Sequence, residues 1–490
     1  MKNLIVSLDI GTSGCRAAAM RTDGSVAARY ERTLLPARPM PGMSEYNAVD
    51  LINTARTALH AVLDKVGPQH VAALAITSQR STIVLWDKQT GEAVGPVLTW
   101  EDGRAQEQAV QVPLSQEEIH IKTGLYKTPF FSAPKIAWSL QHIPQAADLS
   151  RQGRLLAAPV ASYLIWHLTE GNTLATDISL AQRTLLFDVH TLAWSETLCN
   201  GFGIPPDILP QIRPSAADYG AYTYHDVSIP ITACVGDQQA AAVYFGLEKN
   251  KSLINYGTGA FWLYHAGEKP VFLPGMLTSV SATLPTKKPD YLLEGPVNAA
   301  GSALAWLKEQ GIHFGETQTD TLCESAKHPI LFLPAFGGLG APYWDFKTPT
   351  SIGNLSPHTR KPDWVAGAVR GIAFLLADIG AYLRANGCEV EGPVQVSGGL
   401  SQSSYLTSFQ AGLLQLPLEV AHQAEATLLG AALLAAAQAD IPCSVSPSYT
   451  KVTPTLPADQ AHALHKEWQE FVSSCRGKAN GAKPSLLSIH

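Results

Sequence analysis

A strand followed by a glycine turn occurs twice in this chain, and the two copies lie half a chain apart. Ser7–Gly14 near the start is answered by Ser252–Gly259, and each turn contains the pair Gly-Thr. The first glycines of the two turns are 246 residues apart in a chain of 490 residues. Repetition at half the chain length indicates two related domains. We therefore predict one domain over residues 1–247 and a second over residues 248–490.

Strand-like apolar runs alternate with helical stretches rich in Ala and Leu along both halves. The clearest strands are predicted at Leu4–Leu8, Leu74–Thr77, Ile83–Trp86, Ile231–Val235, Ser252–Asn255 and Val394–Ser397. The clearest helices are predicted at Leu51–Val66, Val365–Asn386 and Glu425–Ala437. This alternation predicts an α/β fold. The last fifteen residues, rich in Gly, Lys, Asn and Ser, are predicted to be a frayed tail.

Composition excludes several classes of protein. Hydrophobic residues make up 46% of the chain and charged residues 16%, which is enough apolar material for large buried cores. With 35 basic and 41 acidic residues the net charge is −6. The chain therefore lacks the positive field with which proteins bind nucleic acids or anionic membranes. The start reaches Asp9 too soon for a signal peptide, and the most apolar run, Leu428–Ala437, is half a membrane span. We expect a cytoplasmic protein.

The first glycine turn has the chemistry of a polyphosphate site. Gly11-Thr12-Ser13-Gly14 follows a strand and precedes Arg16, so backbone amides, hydroxyls and a guanidinium lie close together. Asp9 could hold a hydrated magnesium ion beside them. An ordinary hairpin with a capping Asp explains this segment equally well. The second turn, with Thr258-Gly259, favours phosphate, since two turns from two domains could bind one nucleotide.

Asp237 follows an apolar strand, where the active sites of α/β proteins gather. Its carboxylate could accept a proton from an alcohol that attacks phosphorus. It could equally be the N-cap of the helix that follows, and by itself that interpretation is the stronger one. The two roles are compatible. The glycine turn at Gly398-Gly399 could admit a nucleotide, but taken alone it favours a purely structural role.

Taken in order, nine segments resemble the FGGY family of carbohydrate kinases, a branch of the actin, hexokinase and heat-shock-chaperone ATPase superfamily. The segments are Asp9–Arg16, Ile76–Arg80, Trp100–Arg104, Phe130–Trp138, Gly236–Gln238, Tyr256–Gly259, Gly338–Asp345, Gly398–Gly399 and Ala426–Ala432. The resemblance implies two actin-like (ribonuclease H-like) ATPase domains of α/β type that close on a cleft. The sugar would bind mostly to the first domain, and ATP with Mg²⁺ mostly to the second.

The resemblance also implies a role for individual residues. Asp237 would be the general base, and Asp9 would hold Mg²⁺ through water. The substrate would contact Arg80, Ser81, Trp100, Phe130, Asp237 and Gln238. ATP would contact Thr12, Ser13, Arg16, Thr258, Gly259, Gly301, Gly398, Gly399 and Ser403. The partners would be ATP or ADP and a small sugar or polyol; the oligomeric state is open, with a homodimer as one alternative.

Two substrate positions depart from the glycerol kinases of that family. Glycerol kinases carry Gln-Arg-Glu where this chain has Gln79-Arg80-Ser81, and a Tyr where it has Phe130. A polar pocket that lacks these partners leaves groups of the small ligand unpaired. The pair Trp100 and Asp102 is closer to the W-x-D-x-R of pentulose kinases. We predict a kinase for a primary hydroxyl of a ketopentose or of a polyol longer than glycerol.

Two alternatives remain beside that prediction. The first is a glycerol kinase with a rearranged pocket. The second, of another class, is an actin-like ATPase switch protein that signals its nucleotide state to a partner. Ser403 stands where glycerol kinases place an Asn near the adenine, so the nucleotide preference is less well defined by the sequence than the phosphate contacts.

Overall fold

In the computed structural model, which describes residues 2–423 and 425–476, the chain forms two halves, each built around one large mixed sheet. The described strands of the six-stranded sheet end at residue 236, and those of the seven-stranded sheet begin at residue 252. The boundary predicted near residue 247 falls in that gap and stays a prediction. The predicted frayed tail falls on residues 477–490 and lies outside the described residues.

Strands and helices alternate through the first half. Its strands are β1 (Leu4–Gly11), β2 (Gly14–Arg21), β3 (Val26–Thr33), β4 (Glu45–Tyr46), β5 (Val71–Ser78), β6 (Ile83–Asp87), β7 (Val97–Leu98), β8 (Leu155–Pro159), β9 (Ala175–Asp177), β10 (Phe187–Asp188), β11 (Ala193–Trp194), β12 (Gln211–Arg213), β13 (Ala221–Tyr224) and β14 (Val227–Gly236). Its helices are α1 (Ala48–Val66), α2 (Gln106–Gln111), α3 (Gln116–Thr123), α4 (Ser132–His142), α5 (Pro144–Arg151), α6 (Val160–Leu168), α7 (Ile178–Gln182), α8 (Glu196–Phe202) and α9 (Asp237–Tyr244).

The large sheet of the first half has the strand order β13-β14-β5-β1-β2-β3. At its centre β1 pairs antiparallel with β2 on one side and parallel with β5 on the other. Strand β5 in turn pairs parallel with β14. Strand β1 is buried along its length except at its last residue, as expected for an apolar strand that is covered on both faces. The carboxyl ends of β1, β5 and β14 therefore lie at one edge of the sheet.

The second half repeats this alternation. Its strands are β15 (Ser252–Tyr256), β16 (Ala260–Gly267), β17 (Leu277–Val280), β18 (Tyr291–Val297), β19 (Leu331–Leu333), β20 (Ser351–Gly353), β21 (Val394–Gly398), β22 (Leu418–Ala421) and β23 (Tyr449–Val452). Its helices are α10 (Gly301–Glu309), α11 (Thr319–Ser325), α12 (Lys361–Ala385), α13 (Ser404–Leu414), α14 (Ala426–Gln438) and α15 (Ala458–Cys475). Short 3₁₀ turns across the chain lie at Pro68–His70, Pro206–Ile208, Glu316–Gln318 and Gly399–Gln402.

The two large sheets share one plan of strand directions. The second sheet has the order β17-β18-β16-β15-β21-β22-β23. Its hairpin β15–β16 is antiparallel, and β15, β21 and β22 run parallel, as β1, β5 and β14 do in the first sheet. Each sheet also carries an antiparallel strand at the far edge, β13 in one and β23 in the other. The repeated glycine turns of the sequence are therefore the same hairpin in two related sheets.

Helix α14 connects the halves. It belongs to the second half in sequence, yet it packs against α9 and against β1, β5 and β14 of the first. A side chain at Gly430 would bring its Cβ to 1.8 Å from the carbonyl oxygen of Ala240 in α9. Only glycine permits so close an approach of two helices. Gly430 thus serves the contact between the halves.

Two helices differ from the sequence prediction. Helix α12 begins at Lys361, one turn earlier than predicted, because the carboxylate of Asp363 accepts from the backbone amide of Arg360 at its start. Helix α15 was not predicted, since the region after Asp440 is rich in Pro, Ser and His. It buries a narrow stripe that includes Trp468 and Val472, while most of its other residues are polar. So narrow a stripe gives a weak helical signal.

Helix α12 has the length and hydropathy of a membrane-spanning segment. It is 25 residues long, and 89% of its most apolar 18-residue window is buried inside the protein. Its residue Leu376 belongs to the core of the second half, together with Trp262 and Phe332. We assign α12 to that core.

Candidate functional site

Most of the residues to which the sequence assigns a role lie where strands of the two sheets end. The turn between β1 and β2 carries Thr12 and Ser13, and the turn between β15 and β16 carries Thr258. Asp237 follows β14 directly. Ser13 and Thr258 are exposed at the tips of their turns, where a ligand could reach them. Ligands of α/β proteins bind at such strand ends.

Asp9 is buried near the end of β1 and faces Arg16 across the hairpin. One carboxylate oxygen, Oδ2, lies 2.5 Å from a guanidinium nitrogen of Arg16. The other oxygen, Oδ1, is buried and has no hydrogen-bond partner among the residues that the structure describes. Arg16 also lies 3.8 Å from Glu425 at the start of α14, so the second half reaches this hairpin. A buried carboxylate oxygen without a partner is suited to a cation or to a bound water.

Trp100 connects the predicted acceptor pocket to the first glycine turn. Its indole Nε1 donates to the hydroxyl of Thr12 at 3.0 Å, and that hydroxyl donates to Oε1 of Gln79 at 3.2 Å. The hydroxyl of Tyr46 donates to the carbonyl of Thr12 at 2.5 Å. Residues predicted for the substrate and for the phosphates are thereby held in one hydrogen-bonded chain. Thr12 therefore contacts the predicted acceptor pocket while it lies in the turn predicted to bind the phosphates.

Asp237 is partly open to solvent, with 29% of its side chain exposed. The Nε of Arg80 lies 3.4 Å from its Oδ1, and the backbone amide of Gln238 donates to the same oxygen at 2.8 Å. Burial raises the pKa of Asp237 to about 6, although Arg80 opposes the rise. Asp237 is the first residue of α9, and Gly236 is the N-cap of that helix, so the predicted N-cap role of Asp237 is wrong. A carboxylate with this pKa can accept a proton near neutral pH.

Arg80 is held mainly by the second half. Its two terminal nitrogens donate to the two carboxylate oxygens of Glu294, on β18, at 2.8 and 2.9 Å. Arg183 and Ser279 contact the same carboxylate. Burial alone would raise the pKa of Glu294, but the two guanidinium groups, Arg183 first, lower it to about 2. Arg80 therefore joins two carboxylates, the partly exposed Asp237 of the first half and the buried Glu294 of the second.

Gln238 forms a second connection between the halves. Its side-chain oxygen accepts from Asn255 on β15 at 3.3 Å, and Asn255 accepts from Ser397 on β21 at 3.3 Å. Gln238 itself is buried. The predicted substrate residues Asp237 and Gln238 thus lie where the two sheets meet.

Ser81 and Phe130 form another wall of the predicted acceptor pocket. Ser81 has a φ of 65°, a left-handed conformation that is uncommon outside glycine. The ring of Phe130 lies 6.2 Å from that of Phe346, which belongs to the second half and is 45% exposed. The wall is therefore aromatic, with one ring from each half.

The second glycine turn is closed by backbone contacts. The amide of Gly301 donates to the carbonyl of Gly257 at 3.0 Å, and the amide of Ala300 donates to that of Thr258 at 2.9 Å. A Cβ at Gly301 would lie 2.9 Å from the carbonyl oxygen of Gly257. The start of α10 is thereby held against the turn that carries Thr258 and Gly259. Three predicted nucleotide residues are brought together here.

The turn after β21 contains two glycines of different character. Gly398 has a φ of 95°, and a Cβ there would lie 2.1 Å from the carbonyl oxygen of Tyr256. Gly399 faces open space, with nothing within 4 Å of an added Cβ. Ser403 follows at the start of α13, where its hydroxyl accepts from Leu406 and donates to Asp320. The hydroxyl of Ser403 thus already has two hydrogen-bond partners within the protein. Its contact with adenine stays a prediction.

Sequence reasoning missed the residues that hold this site from a distance. The three residues are Glu294, Arg183 and Lys135, and all are buried. Glu294 contacts Arg80, Lys135 contacts the backbone of Ser81, and Arg183 contacts Glu294. Lys135 lies within a segment that carried the family resemblance, without an assigned role. Glu294 sits in an apolar strand, and a charged residue in such a run is a signal that could have identified it.

Known proteins match the chain over nearly its full length. Residues 4–244 match the N-terminal domain of the FGGY family of carbohydrate kinases, and residues 252–439 match the C-terminal domain. A glycerol kinase from Enterococcus casseliflavus is 32% identical over 96% of this chain and 97% of its own length.

Solved structures give the same result for the fold. The glycerol kinase of Plasmodium falciparum with ADP superposes with a TM-score of 0.88 at 27% identity, over 97% of this chain and 98% of that one. A xylulose kinase from Brucella ovis gives a TM-score of 0.85 at 22% identity, over 96% and 99%, a likeness that concerns the fold alone. The predicted α/β fold of two actin-like domains is confirmed.

Proposed function

The chain belongs to the FGGY family of carbohydrate kinases, phosphotransferases with alcohol acceptors, and from that premise we propose that it transfers the γ-phosphate of ATP to a primary hydroxyl of a small sugar or polyol, with Asp237 as general base. The observation that carries this proposal is the environment of Asp237. Its carboxylate is partly exposed, has a pKa raised to about 6 by burial, and lies beside Arg80. A base with such a pKa is mostly ionised at pH 7 and still takes up a proton readily.

The phosphates would lie between the two glycine turns. Thr12, Ser13 and Arg16 would contact them from the first half, and Thr258 with Gly259 from the second. Gly301, Gly398 and Gly399 would line the nucleotide pocket, and Ser403 would lie near the adenine. Because phosphoryl transfer needs little covalent chemistry from the protein, these residues would act by positioning the γ-phosphate and neutralising its charge.

Asp9 is the residue that would hold Mg²⁺. Its unpartnered buried oxygen, Oδ1, fits a hydrated cation. Among the described residues there is no group of three or more acidic, His or Cys side chains able to hold a metal ion. A single carboxylate agrees with an ion that arrives with ATP and keeps most of its ligands from phosphate and water. When bound, Mg²⁺ would neutralise charge on the phosphates.

The acceptor we favour is a ketopentose or a polyol longer than glycerol. Ser81 and Phe130 stand where glycerol kinases carry a Glu and a Tyr, so a carboxylate and a phenol hydroxyl are missing. Both terminal nitrogens of Arg80 are already bound to Glu294, which leaves fewer donors for a small triol. A longer acceptor could instead pack along the aromatic wall of Phe130 and Phe346 and reach Trp100.

Glycerol is the second candidate acceptor. The relative from Enterococcus casseliflavus is a glycerol kinase and covers nearly the whole chain. Arg80, Trp100, Asp237 and Gln238 would serve glycerol as well as a longer acceptor. The choice between the two depends on Ser81 and Phe130.

A panel of acceptors tests the proposal. We would measure ADP release from Mg²⁺-ATP with triols, tetritols, pentitols, aldoses, ketopentoses and ketoheptoses, and identify the product by phosphorus NMR. Strong turnover with one ketopentose or longer polyol, and a phosphate on its primary carbon, is the expected result. Strong turnover with glycerol alone would favour the second candidate. Slow ADP release that no acceptor changes would contradict kinase activity and favour an ATPase switch.

A further inference from the structure

Lys135, in α4, is a fully buried cation in the first half. Its Nζ donates to three backbone carbonyl oxygens, those of Ser81 at 3.3 Å, Thr99 at 2.5 Å and Phe130 at 2.7 Å. An ammonium group has three N–H donors and no acceptor. Each donor of Lys135 thus has one carbonyl partner.

The three carbonyls belong to three separate segments of the chain. Ser81 lies between β5 and β6, Thr99 follows β7, and Phe130 precedes α4. Each segment carries at least one residue predicted to contact the acceptor: Ser81 with its neighbour Arg80, Trp100 next to Thr99, and Phe130 itself. A single side chain therefore meets every one of these pocket segments at its backbone.

The segment at Ser81 depends most on this contact. Ser81 has a positive φ of 65°, a conformation that a residue with a side chain keeps only when its surroundings impose it. Its carbonyl accepts from Lys135 and also from the hydroxyl of Ser132, both at 3.3 Å. Two donors from α4 thus fix the orientation of the peptide that presents Ser81.

The ammonium group of Lys135 is hydrogen-bonded to these carbonyl oxygens, and Asp102 is the carboxylate that favours its charge. Burial lowers the pKa of its ammonium group to about 7, while Asp102 opposes the decrease. Asp102 is hydrogen-bonded to Arg104 and to the backbone of Ser44 rather than to Lys135. A buried charge held by carbonyls alone is costly unless the carbonyls are fixed in place.

We propose that Lys135 is a positioning residue that sets the shape of the acceptor pocket by holding the segments of Ser81, Trp100 and Phe130 together. This inference rests on the proposed function, because it assigns those three residues to the acceptor. Lys135 itself touches neither ATP nor the acceptor.

The first test is the kinetics of Lys135→Met on the best acceptor. Met fills a similar volume without N–H donors, so the KM for the acceptor should rise about tenfold or more while the KM for ATP stays within about twofold. A lower fraction of folded protein would reduce kcat and leave both KM values unchanged. An acceptor KM equal to that of the wild type would overturn the proposal.

Lys127 provides a matched control. Its ammonium group also binds backbone carbonyls of the first half, those of Val112 and Leu114, both at 3.1 Å. None of these residues is predicted to contact the acceptor. Lys127→Met should therefore leave both KM values at the wild-type level, and an equal rise in acceptor KM in both variants would refute a specific role for Lys135.

Amide hydrogen exchange of the ligand-free protein tests the same idea without activity. In Lys135→Met, peptides that contain Ser81, Thr99 and Phe130 should all exchange faster, by about tenfold or more, than in the wild type. Faster exchange of α4 alone would contradict the proposal. If Lys135→Met does not fold, Lys135→Gln keeps two donors on a shorter side chain and should accelerate the same three peptides to a smaller extent.

The exchange result also separates the two proposals. If the wild-type protein phosphorylates no acceptor, the proposed function fails, and the exchange of the three segments still decides whether Lys135 holds them together. If an acceptor is found and the exchange of the three segments is unchanged in both Lys135 variants, the proposed function stands and the role of Lys135 is wrong.

Discussion

At the scale of single residues, the chemistry depends on how buried charges are paired around Asp237. Arg80 lies between Asp237 and Glu294, and its guanidinium is over the ring of Phe261, 5.9 Å from the centroid. Arg183 adds a second positive charge on Glu294. Two carboxylates and two guanidinium groups balance one another here. Asp237 is the member of this group that is open to a substrate.

The pKa of Asp237 predicts a dependence of the rate on pH. A general base acts when ionised, so kcat/KM should fall as the pH drops through about 6, the pKa to which burial raises this carboxylate. With one proton taken up, the rate at pH 5 should be about tenfold below the plateau. Initial rates between pH 5 and 8 measure this. A rate that stays flat down to pH 5 would contradict the assignment of Asp237.

The acceptor preference should change with two side chains. Ser81→Glu combined with Phe130→Tyr restores the carboxylate and phenol that glycerol kinases carry, so kcat/KM for glycerol should rise, by about tenfold or more. The same double variant should lose activity on the longer acceptor, because Glu fills space that Ser81 leaves. Kinetics with both acceptors measure the switch. No gain with glycerol would count against our interpretation of the pocket.

At the scale of elements, the site is built from glycine-containing turns of hairpins and strand ends. Gly398 has a positive φ and lies against the carbonyl of Tyr256, whereas Gly399 beside it faces open space. The two neighbours therefore have different reasons to be glycine. The first serves the fold and the second would serve the nucleotide.

This difference predicts opposite results for two alanine variants. Gly398→Ala places a Cβ 2.1 Å from a carbonyl oxygen, so it should lower Tm and the yield of folded protein. Gly399→Ala should keep the wild-type Tm and raise the KM for ATP several-fold. Thermal unfolding and ATP kinetics of the pair separate the two effects. A Gly399→Ala enzyme with an unchanged KM for ATP would remove Gly399 from the nucleotide pocket.

Much of the secondary structure follows from local patterns. The strands predicted at Leu4–Leu8 and Ser252–Asn255 are present and slightly longer, because hairpin pairing extends each to its glycine turn. Helix α15 could not be predicted, since its few buried residues are spread over a polar sequence. Local pattern reports which faces are apolar, and it fails where one narrow stripe is enough for packing.

The site was only partly predictable for a different reason. Asp9, Thr12 and Asp237 carry recognisable spacing after strands, and the structure places each at a strand end. Glu294 lies within a strand and lacks this spacing, and nothing local in the sequence indicates its partner Arg80, which is 214 residues away. Contacts between distant segments depend on the packing of the two sheets, which a single sequence does not report. The sequence therefore predicts that Arg80 faces a substrate, and it does not indicate that Glu294 is the partner of Arg80.

At the scale of the whole molecule, the two halves are joined by buried contacts near Asp237. Helix α14 packs on α9 and on the first sheet, and Arg80 of the first half pairs with Glu294 of the second. Gln238 and Asn255 add a hydrogen bond between the sheets. Any movement between the halves would change the environment of Asp237. Asp237, the proposed base, therefore lies at the junction between the two halves.

Removing the charge of Glu294 should weaken this junction. Glu294→Gln leaves Arg183 buried without a carboxylate and leaves Arg80 with Asp237 alone, so the free energy of unfolding should fall by about 3–5 kcal/mol. Glu391→Gln is the control, because Glu391 forms an exposed pair with Lys251 at 2.9 Å. Urea unfolding of both variants measures the difference. Equal stability of the two variants would show that the buried cluster does not hold the halves together.

We propose above all that Asp237 takes the proton from an acceptor hydroxyl while ATP binds elsewhere. A comparison of the wild type with Asp237→Asn tests this role. Acceptor-dependent ADP release would be measured for the wild type and for Asp237→Asn, with ATP binding measured on both by calorimetry. We predict that turnover falls by about 10²–10⁴-fold while the affinity for ATP changes little, because the variant removes the proton acceptor and keeps the shape of the side chain. Unchanged turnover in Asp237→Asn would contradict the account.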